Sequence, residues 1–134
     1  MPNYGGSVMD NFPMNSFYCL PEFLKEKGYS TSWIHASDSS FDGQAIFLLK
    51  NGFDKIIDRK NFSKDAEKLG WGFTDKELFS KVIEEIRKEK QPFFTSILTI
   101  TNHHPFDVHQ EYNLNLGSRE VHKFMNTLYY SDEQ

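Results

Sequence analysis

One nearly unbroken apolar segment, residues 92–100 (PFFTSILTI), constrains the fold of this chain more than any other feature. It begins at Pro92 and ends before the polar residues that follow Ile100. A short apolar run without alternating polar residues is typical of a strand that is buried on both faces, as in the middle of a parallel sheet. The sequence therefore predicts a central parallel strand here.

Helical segments separate this run from two further candidate strands, residues 30–35 (STSWIH) and residues 55–58. Helix and strand signals alternate along the chain, which favours a layered α/β/α fold with a mainly parallel sheet. The predicted helices cover residues 20–27, 42–50, 74–90 and 118–134.

The clearest helix signal is at Thr74, because Thr74 and Glu77 have the spacing of a capping box. Apolar side chains then recur at helical spacing, which predicts a buried face on this helix and another on the last helix. The face of the first comprises Leu78, Phe79, Val82, Ile83 and Ile86, and that of the second comprises Val121, Phe124, Met125 and Leu128.

Length and composition suit one domain over residues 1–134, with residues 1–16 as an irregular lead-in rich in Asn, Pro and Gly. The net charge is −4 and the basic residues are interspersed with acidic ones, so nucleic acid is not an expected partner. No apolar run approaches the roughly 20 residues that span a bilayer. We therefore expect this stretch of chain to be soluble and to carry no membrane segment.

Histidines follow two of the predicted strands. Residues 30–35 end in His35, and the apolar run is followed by Asn102, His103 and His104. Ligands of parallel sheets bind outside the carboxyl ends of the strands, where histidine can donate a hydrogen bond to a phosphate or sulfate oxygen or protonate a leaving group. We predict that His35 and His103 share a substrate cleft. Asn102 and His104 are further candidate substrate-binding residues, with the His104 side chain expected to point the other way. The alternative is that His35 and His103 are both structural histidines.

Two aspartates lie close to His35 in the sequence and belong to the same candidate site. Asp38 and Asp42 could orient His35 or contact a sugar hydroxyl, although Asp42 is more typical of a helix N-cap. A metal site built from His103, His104 and His109 lacks a supporting carboxylate or cysteine pattern, so no metal ligand is predicted.

No nucleophile elbow or glycine-rich phosphate loop occurs in the sequence. Ser37, Ser39 and Ser40 crowd the segment after His35, where serines usually stabilise turns. We therefore predict no catalytic residue in this chain.

Six segments of the sequence, taken in order, are LPEFLKEKGYST, IHASDSSFDG, NGFDKIID, WGFTDKELF, KQPFFTSILTITNHHPF and YYSDEQ. Together they resemble the lipoteichoic acid synthases and related phosphoglycerol transferases, which are sulfatase-like enzymes of the alkaline phosphatase superfamily. The resemblance implies an alkaline-phosphatase-like α/β fold, with this chain as the central part of the catalytic domain. It also implies that the catalytic Thr and the metal-binding residues lie outside this sequence, so that the chain alone would be inactive.

Carried over by position, His35 and His103 look like the family's substrate-pocket histidines. Where lipoteichoic acid synthases have a Trp and an Arg that hold phosphoglycerol, this chain has Asp42 and Gln44, which brings it closer to the sulfatase-like branch. The resemblance further implies a full-length parent at the cell membrane, with this domain on the extracellular or periplasmic side and a divalent metal (Mn, Mg, Ca or Zn) as cofactor.

The implied substrate of the parent is a phosphate or sulfate ester, possibly linked to a lipid or glycan. The alternative hypothesis is a non-catalytic binding or assembly module that retains the anion pocket. Strands exposed at a sheet edge could also pair with a second copy of the chain, so a homo-oligomer is a further expectation.

Overall fold

A computed structural model describes residues 5–134, and the first four residues of the predicted lead-in lie outside the described residues. The helices are α1 (Val8–Asn11), α2 (Leu20–Glu26), α3 (Gln44–Lys50), α4 (Asp75–Ile86) and α5 (Glu120–Asp132). The strands are β1 (Ser30–His35), β2 (Lys55–Ile57), β3 (Lys68–Leu69), β4 (Gly72–Phe73) and β5 (Phe93–Leu98).

The described strands form a three-stranded parallel sheet in the order β2-β1-β5, beside a small antiparallel hairpin of β3 and β4. Ser30 is paired with Phe93 at one end of β1, and His35 with Leu98 at the other. The predicted α/β class with a parallel sheet is confirmed. Because β1 and β5 run in the same direction and in register, the residues that follow them emerge at one edge of the sheet.

The prediction that residues 92–100 form a central strand buried on both faces is wrong for the described part of the chain. β5 is an outer strand, and β1 occupies the centre. Ile97 and Leu98 are 40% and 43% exposed, whereas β1 is buried from Thr31 to its end. No other segment of residues 5–134 pairs with the free edge of β5. Part of the apolar surface of this strand therefore stays exposed.

The core lies between the sheet and α4, where Leu78 and Val82 pack with Ile34 and Ile57. Thr74 begins α4 as predicted, and its hydroxyl oxygen accepts a hydrogen bond from the Glu77 N–H. The reciprocal contact of a capping box, in which the Glu77 side chain accepts from the Thr74 N–H, is absent. The Thr74 N–H donates instead to the backbone carbonyl oxygen of Glu67, the residue before β3.

Two details of the α4 prediction are wrong. Ile83 is half exposed, and Glu85 takes a buried position on the face that packs inward. The helix ends at Ile86 instead of near Lys90. Turns and bends occupy most of residues 87–92, before β5 begins at Phe93.

The predicted start of α3 at Asp42, with Asp42 as its N-cap, is also wrong. Asp42 has a left-handed backbone (φ 51°) within a short 3₁₀ turn, and Gly43 (φ 65°) occupies the N-cap position. Two consecutive left-handed residues cannot belong to a right-handed helix, so α3 begins at Gln44.

The two ends of the described chain depart from the sequence interpretation. The lead-in contains one helical turn, α1, in which the Ser7 hydroxyl accepts from the Asp10 N–H. On α5 the predicted apolar stripe is largely exposed, including Val121, Met125 and Leu128. Its buried side comprises Asn126, Thr127 and Tyr130. Among residues 5–134, no helix has the length and apolar character needed to cross a bilayer.

Candidate functional site

A pocket of about 430 Å³ lies at the carboxyl ends of β1 and β5. Such a volume falls in the range of about 300–1,000 Å³ that is usual for small-molecule sites. Residues from both strand ends, from the start of α3 and from the β3–β4 turn line it: His35, Ser37, Asp38, Phe41, Gln44, Trp71, Leu98, Thr99, Ile100, Asn102 and His103.

Four of the six predicted site residues come together around this pocket: His35, Asp38, Asn102 and His103. The structure does not place Asp42 or His104 in its lining. His104 is mainly exposed, with its Nε2 atom 3.6 Å from a carboxylate oxygen of Glu120.

His35 is the buried histidine of the pocket, with 5% of its surface exposed. Its Nδ1 atom lies 2.9 Å from the carbonyl oxygen of Leu98, its partner in the β1–β5 register. A carbonyl oxygen only accepts, so Nδ1 carries the proton and donates. Burial lowers the pKa of His35, although the bond to Leu98 and the charge of Asp58 oppose this shift. Neutral His35 therefore has an unprotonated Nε2, which accepts a hydrogen bond or a proton.

His103 is held differently, on the exposed loop that follows β5. Its Nδ1 lies 2.8 Å from the backbone carbonyl oxygen of His104, and its ring lies 4.3 Å from the Trp71 ring, centroid to centroid. The hydrogen bond assigns the Nδ1 proton and leaves Nε2 for a ligand. With Nδ1 committed to a carbonyl oxygen, His103 can donate to an anion only through a protonated Nε2.

Trp71 is an aromatic wall that sequence reasoning missed. It occupies the tight turn between β3 and β4, and its carbonyl oxygen accepts a hydrogen bond of 2.8 Å from the Ser37 hydroxyl. The hairpin approaches β1 closely because Gly72 lacks a side chain, and a Cβ there would lie 2.7 Å from the Ala36 carbonyl oxygen. The Trp-Gly pair was the one available signal, since glycine in a strand often marks a close backbone approach.

The carboxylate of Asp38 in the pocket lining already has hydrogen-bond and ion-pair partners. Its Oδ1 accepts from both the backbone N–H and the hydroxyl of Ser40, at 2.9 and 2.8 Å, and its Oδ2 lies 2.7 Å from Arg59. The bonds from Ser40, assisted by the charge of Arg59, lower the pKa of Asp38. This aspartate therefore stays ionised and paired at the rim of the pocket.

A second missed feature is a buried carboxylate that anchors the loop after β5. Asp75, the first residue of α4, accepts from the Thr101 hydroxyl at 2.7 Å and from the Ser131 hydroxyl at 2.8 Å. Thr101 directly precedes Asn102 and His103 in the sequence. Asp75 thus ties the pocket loop to both α4 and α5, and its place in the first turn of a helix was its only sequence signal.

The three serines after β1 stabilise turns, as the sequence indicates. Ser39 donates to Asp58 at 2.6 Å, while Ser37 and Ser40 donate to Trp71 and Asp38. None of these hydroxyls has a histidine or lysine base as its partner. Among residues 5–134, no group of three or more His, Cys, Asp or Glu side chains is arranged to hold a metal ion.

A sequence model of the sulfatase family matches residues 1–134. Lipoteichoic acid synthase 1 of Bacillus subtilis is 29% identical over 134 residues, which cover 96% of this chain and 21% of that protein. Phosphoglycerol transferase I of Escherichia coli (strain 55989) is 32% identical over 110 residues, covering 77% of this chain and 14% of that protein. The chain therefore spans about a fifth or less of the length of these relatives.

Solved structures agree with the sequence matches. The lipoteichoic acid synthase LtaP from Listeria monocytogenes superposes with a TM-score of 0.86 at 25% identity, over 98% of this chain and 34% of that one. The Streptococcus pyogenes phosphoglycerol transferase GacH, solved with sn-glycerol-1-phosphate, gives 0.67 at 21% identity, over 98% and 37%. The second likeness concerns the fold alone.

Proposed function

Because this chain belongs to the sulfatase family, whose model matches all of its residues, we propose that it provides the ester-binding pocket of a cell-envelope enzyme. The enzyme would be a phosphoglycerol transferase or a related hydrolase of phosphate or sulfate esters. Relatives named lipoteichoic acid synthase and phosphoglycerol transferase support the first of these reactions.

The observation that carries this proposal is the meeting of two histidines in one pocket. His35 ends β1, His103 follows β5, and both line the same cavity although 67 residues lie between them in the sequence. In the proposed complex, protonated His103 donates to an oxygen of the phosphate or sulfate. Neutral His35 accepts a hydrogen bond from a substrate hydroxyl, since its Nδ1 proton is engaged with Leu98.

Divalent metal is the cofactor that we propose for the full-length enzyme, where its charge would stabilise the oxyanions of the transferred group. The described residues do not form a site that fits such an ion. The role that we assign to this chain is therefore limited to binding and orienting the ester. His35, His103, Asp38 and Asn102 would perform it.

Calorimetric titration of the 134-residue chain with inorganic phosphate and with sn-glycerol-1-phosphate tests the binding proposal. We expect His103→Ala to weaken both affinities about tenfold, the loss of one charge-assisted hydrogen bond. The matched control is His104→Ala, the neighbouring imidazole outside the pocket lining. Equal affinity in the wild type and His103→Ala, or no binding of either ligand, would contradict the proposal.

We further expect the chain alone to turn over neither phosphate nor sulfate monoesters, with or without added Mn²⁺, Mg²⁺ or Zn²⁺. The hydroxyls of the three serines after β1 are engaged in hydrogen bonds to Trp71, Asp58 and Asp38, and none has a histidine or lysine as its partner. A chromogenic ester assay measures this directly. Turnover that persists through purification and disappears in His35→Gln would show that the chain contains catalytic residues of its own.

A further inference from the structure

Trp71 contacts the segments that follow both strands of the pocket. Its carbonyl oxygen accepts a hydrogen bond of 2.8 Å from the hydroxyl of Ser37, in the segment after β1. Its ring lies 4.3 Å from the ring of His103, centroid to centroid, in the segment after β5. Trp71 thus links the two segments on which the proposed ester site depends.

The hairpin holds the backbone of this tryptophan in place. The Phe73 N–H donates to the Ala36 carbonyl oxygen at 2.9 Å. Gly72 lies so close to the same oxygen that a Cβ there would be 2.7 Å from it. The Trp71 side chain is nevertheless 58% exposed and does not belong to the core cluster. An exposed ring on a fixed backbone can be replaced without opening a core cavity, so its effect on a neighbouring side chain can be measured.

The His103 ring has few other supports. It is exposed, and its Nδ1 is bonded to the carbonyl oxygen of His104, so a bond to an anion must form at Nε2. In the part of the chain that the structure describes, the histidines paired with a carboxylate are His104 and His109. The group that faces the His103 ring is instead the indole of Trp71, and an aromatic face attracts a cation within about 6 Å of its centre.

We propose that Trp71 is a positioning residue of the ester site. Its ring orients the His103 imidazole, and its electron-rich face stabilises this imidazole as the cation that donates through Nε2 to an ester oxygen. The inference rests on the proposed function and deepens it, because it assigns part of the affinity for the ester to a residue that acts through His103.

Calorimetric titration with inorganic phosphate tests this role. We expect Trp71→Leu, which removes the aromatic face, to weaken phosphate binding about fivefold. Trp71→Phe keeps an aromatic face and should stay within about twofold of the wild type. The matched control is Tyr129→Leu, since Tyr129 is an aromatic residue with 40% exposure outside the pocket lining, and it should leave the affinity unchanged. Equal affinities of the wild type and Trp71→Leu would overturn the inference.

Fluorinated tryptophan separates the electronic effect from packing, because fluorine withdraws electron density from the indole face with little change in shape. The chain contains two tryptophans, and the other, Trp33, lies beside His35. We expect phosphate affinity to fall stepwise with mono-, di- and trifluorotryptophan, by about threefold in total. In Trp71→Phe the same labels occupy Trp33 alone and should have no effect. A flat series in the wild type would overturn the stabilising role of the indole.

A double-mutant cycle decides whether Trp71 acts through His103 or touches the anion itself. Trp71→Leu should cause no further loss of phosphate affinity in a chain that already carries His103→Ala. Additive losses would show that Trp71 contacts the anion directly and would overturn the positioning role.

The imidazole ¹⁵N signals of the ligand-free chain separate this inference from the proposed function. His103 should show the Nδ1–H tautomer in the wild type, because Nδ1 is bonded to the His104 carbonyl oxygen, and a mixture of tautomers in Trp71→Leu. If the wild type binds no phosphate, the ester proposal falls and these signals decide the positioning role: a mixture supports it, and an unchanged tautomer overturns it. Phosphate binding that Trp71→Leu leaves unaltered would keep the ester proposal and overturn this inference.

Discussion

The two strand ends that meet at the pocket are built in opposite ways. β1 is the covered central strand and delivers His35 as a buried ring whose Nδ1–H is bonded to Leu98. β5 is the outer strand, and it delivers His103 on an exposed loop supported by Trp71 and anchored through Asp75. The fold itself fixes the first histidine, whereas contacts from other elements hold the second. Changes at the two ends should therefore have different consequences.

The largest expected effect is at the anchor of the β5 end. Asp75→Ala removes a buried acceptor of two hydrogen bonds and leaves the hydroxyls of Thr101 and Ser131 without it. Hydrogen bonds to charged groups contribute about 1.5–3 kcal/mol each, so we expect a loss of about 3 kcal/mol in the free energy of unfolding. Urea denaturation measures it.

The control for this substitution is Asp132→Ala, which removes an exposed carboxylate from α5 and should cost less than about 0.5 kcal/mol. Equal stability losses in the two variants would show that the Asp75 anchor is dispensable and would remove the proposed distinction between the strand ends.

The next effect compares the histidines directly. His35→Ala leaves a cavity and deprives the Leu98 carbonyl of its donor, so we expect a loss of about 2 kcal/mol. His103→Ala should change stability by less than about 0.5 kcal/mol, because the ring is exposed. Thermal denaturation of both variants beside the wild type provides the test. A larger stability loss in His103→Ala than in His35→Ala would contradict this distinction between a histidine fixed by the sheet and one held by other elements.

A smaller effect is expected at the start of α4, next to the anchor. Thr74→Ala removes the acceptor for the Glu77 N–H and should cost about 1 kcal/mol. Ser80→Ala, at an exposed position within the same helix, is the control and should be neutral or slightly stabilising. An unchanged urea midpoint for Thr74→Ala would indicate that the helix, and with it Asp75, is positioned by packing alone.

The smallest expected effect is the pH dependence that His35 gives to the β1 end. Burial lowers its pKa below the ordinary value of 6.5, so the unfolded chain binds the proton more readily than the folded chain. The contribution of neutral His35 to the free energy of unfolding is complete above pH 6.5. It is lost as the pH falls below 6.5 and through the lowered pKa of His35 in the folded chain. Stability should thus decline on mild acidification, and less so in His35→Gln.

A second titration lies at lower pH and is separable from that of His35. Burial by itself raises the pKa of Glu85, but hydrogen bonds from Lys55, Lys88 and Lys81 lower it to about 2. Its stabilising contribution is present above the ordinary value of 4.5 and is lost towards pH 2. A His35→Gln variant that follows the wild type between pH 6.5 and 4.5 would contradict the role assigned to burial of His35.

Local patterns predicted β1, α2 and the start of α4 well, because each depends on neighbours in the sequence. Pro21 lies in the first turn of α2, Gly28 follows its end with φ of 85°, and Thr74 caps α4. The apolar run of β5 also predicted a parallel strand. Its position at the outer edge of the sheet could not be predicted from the run itself, since burial depends on what covers each face and edge.

Sequence reasoning placed His35 and His103 at strand ends, and register then brings them to one cavity. It missed Trp71 and Asp75, because a hairpin turn and a helix start reach the pocket only through tertiary packing. The helical start at Asp42 was wrong because two left-handed residues intervene before Gln44. Those two residues also separate Asp42, which lies outside the pocket lining, from Gln44, which belongs to it.

We propose that the two strand ends bind one ester group together. Titration of the chain with sn-glycerol-1-phosphate, followed through the imidazole ¹⁵N signals of both rings, tests it most directly. We predict that the His35 and His103 signals shift with one common dissociation constant, while those of His104 remain in place. Shifts of only one of the two rings, or two unrelated dissociation constants, would show that His35 and His103 do not bind the same ester.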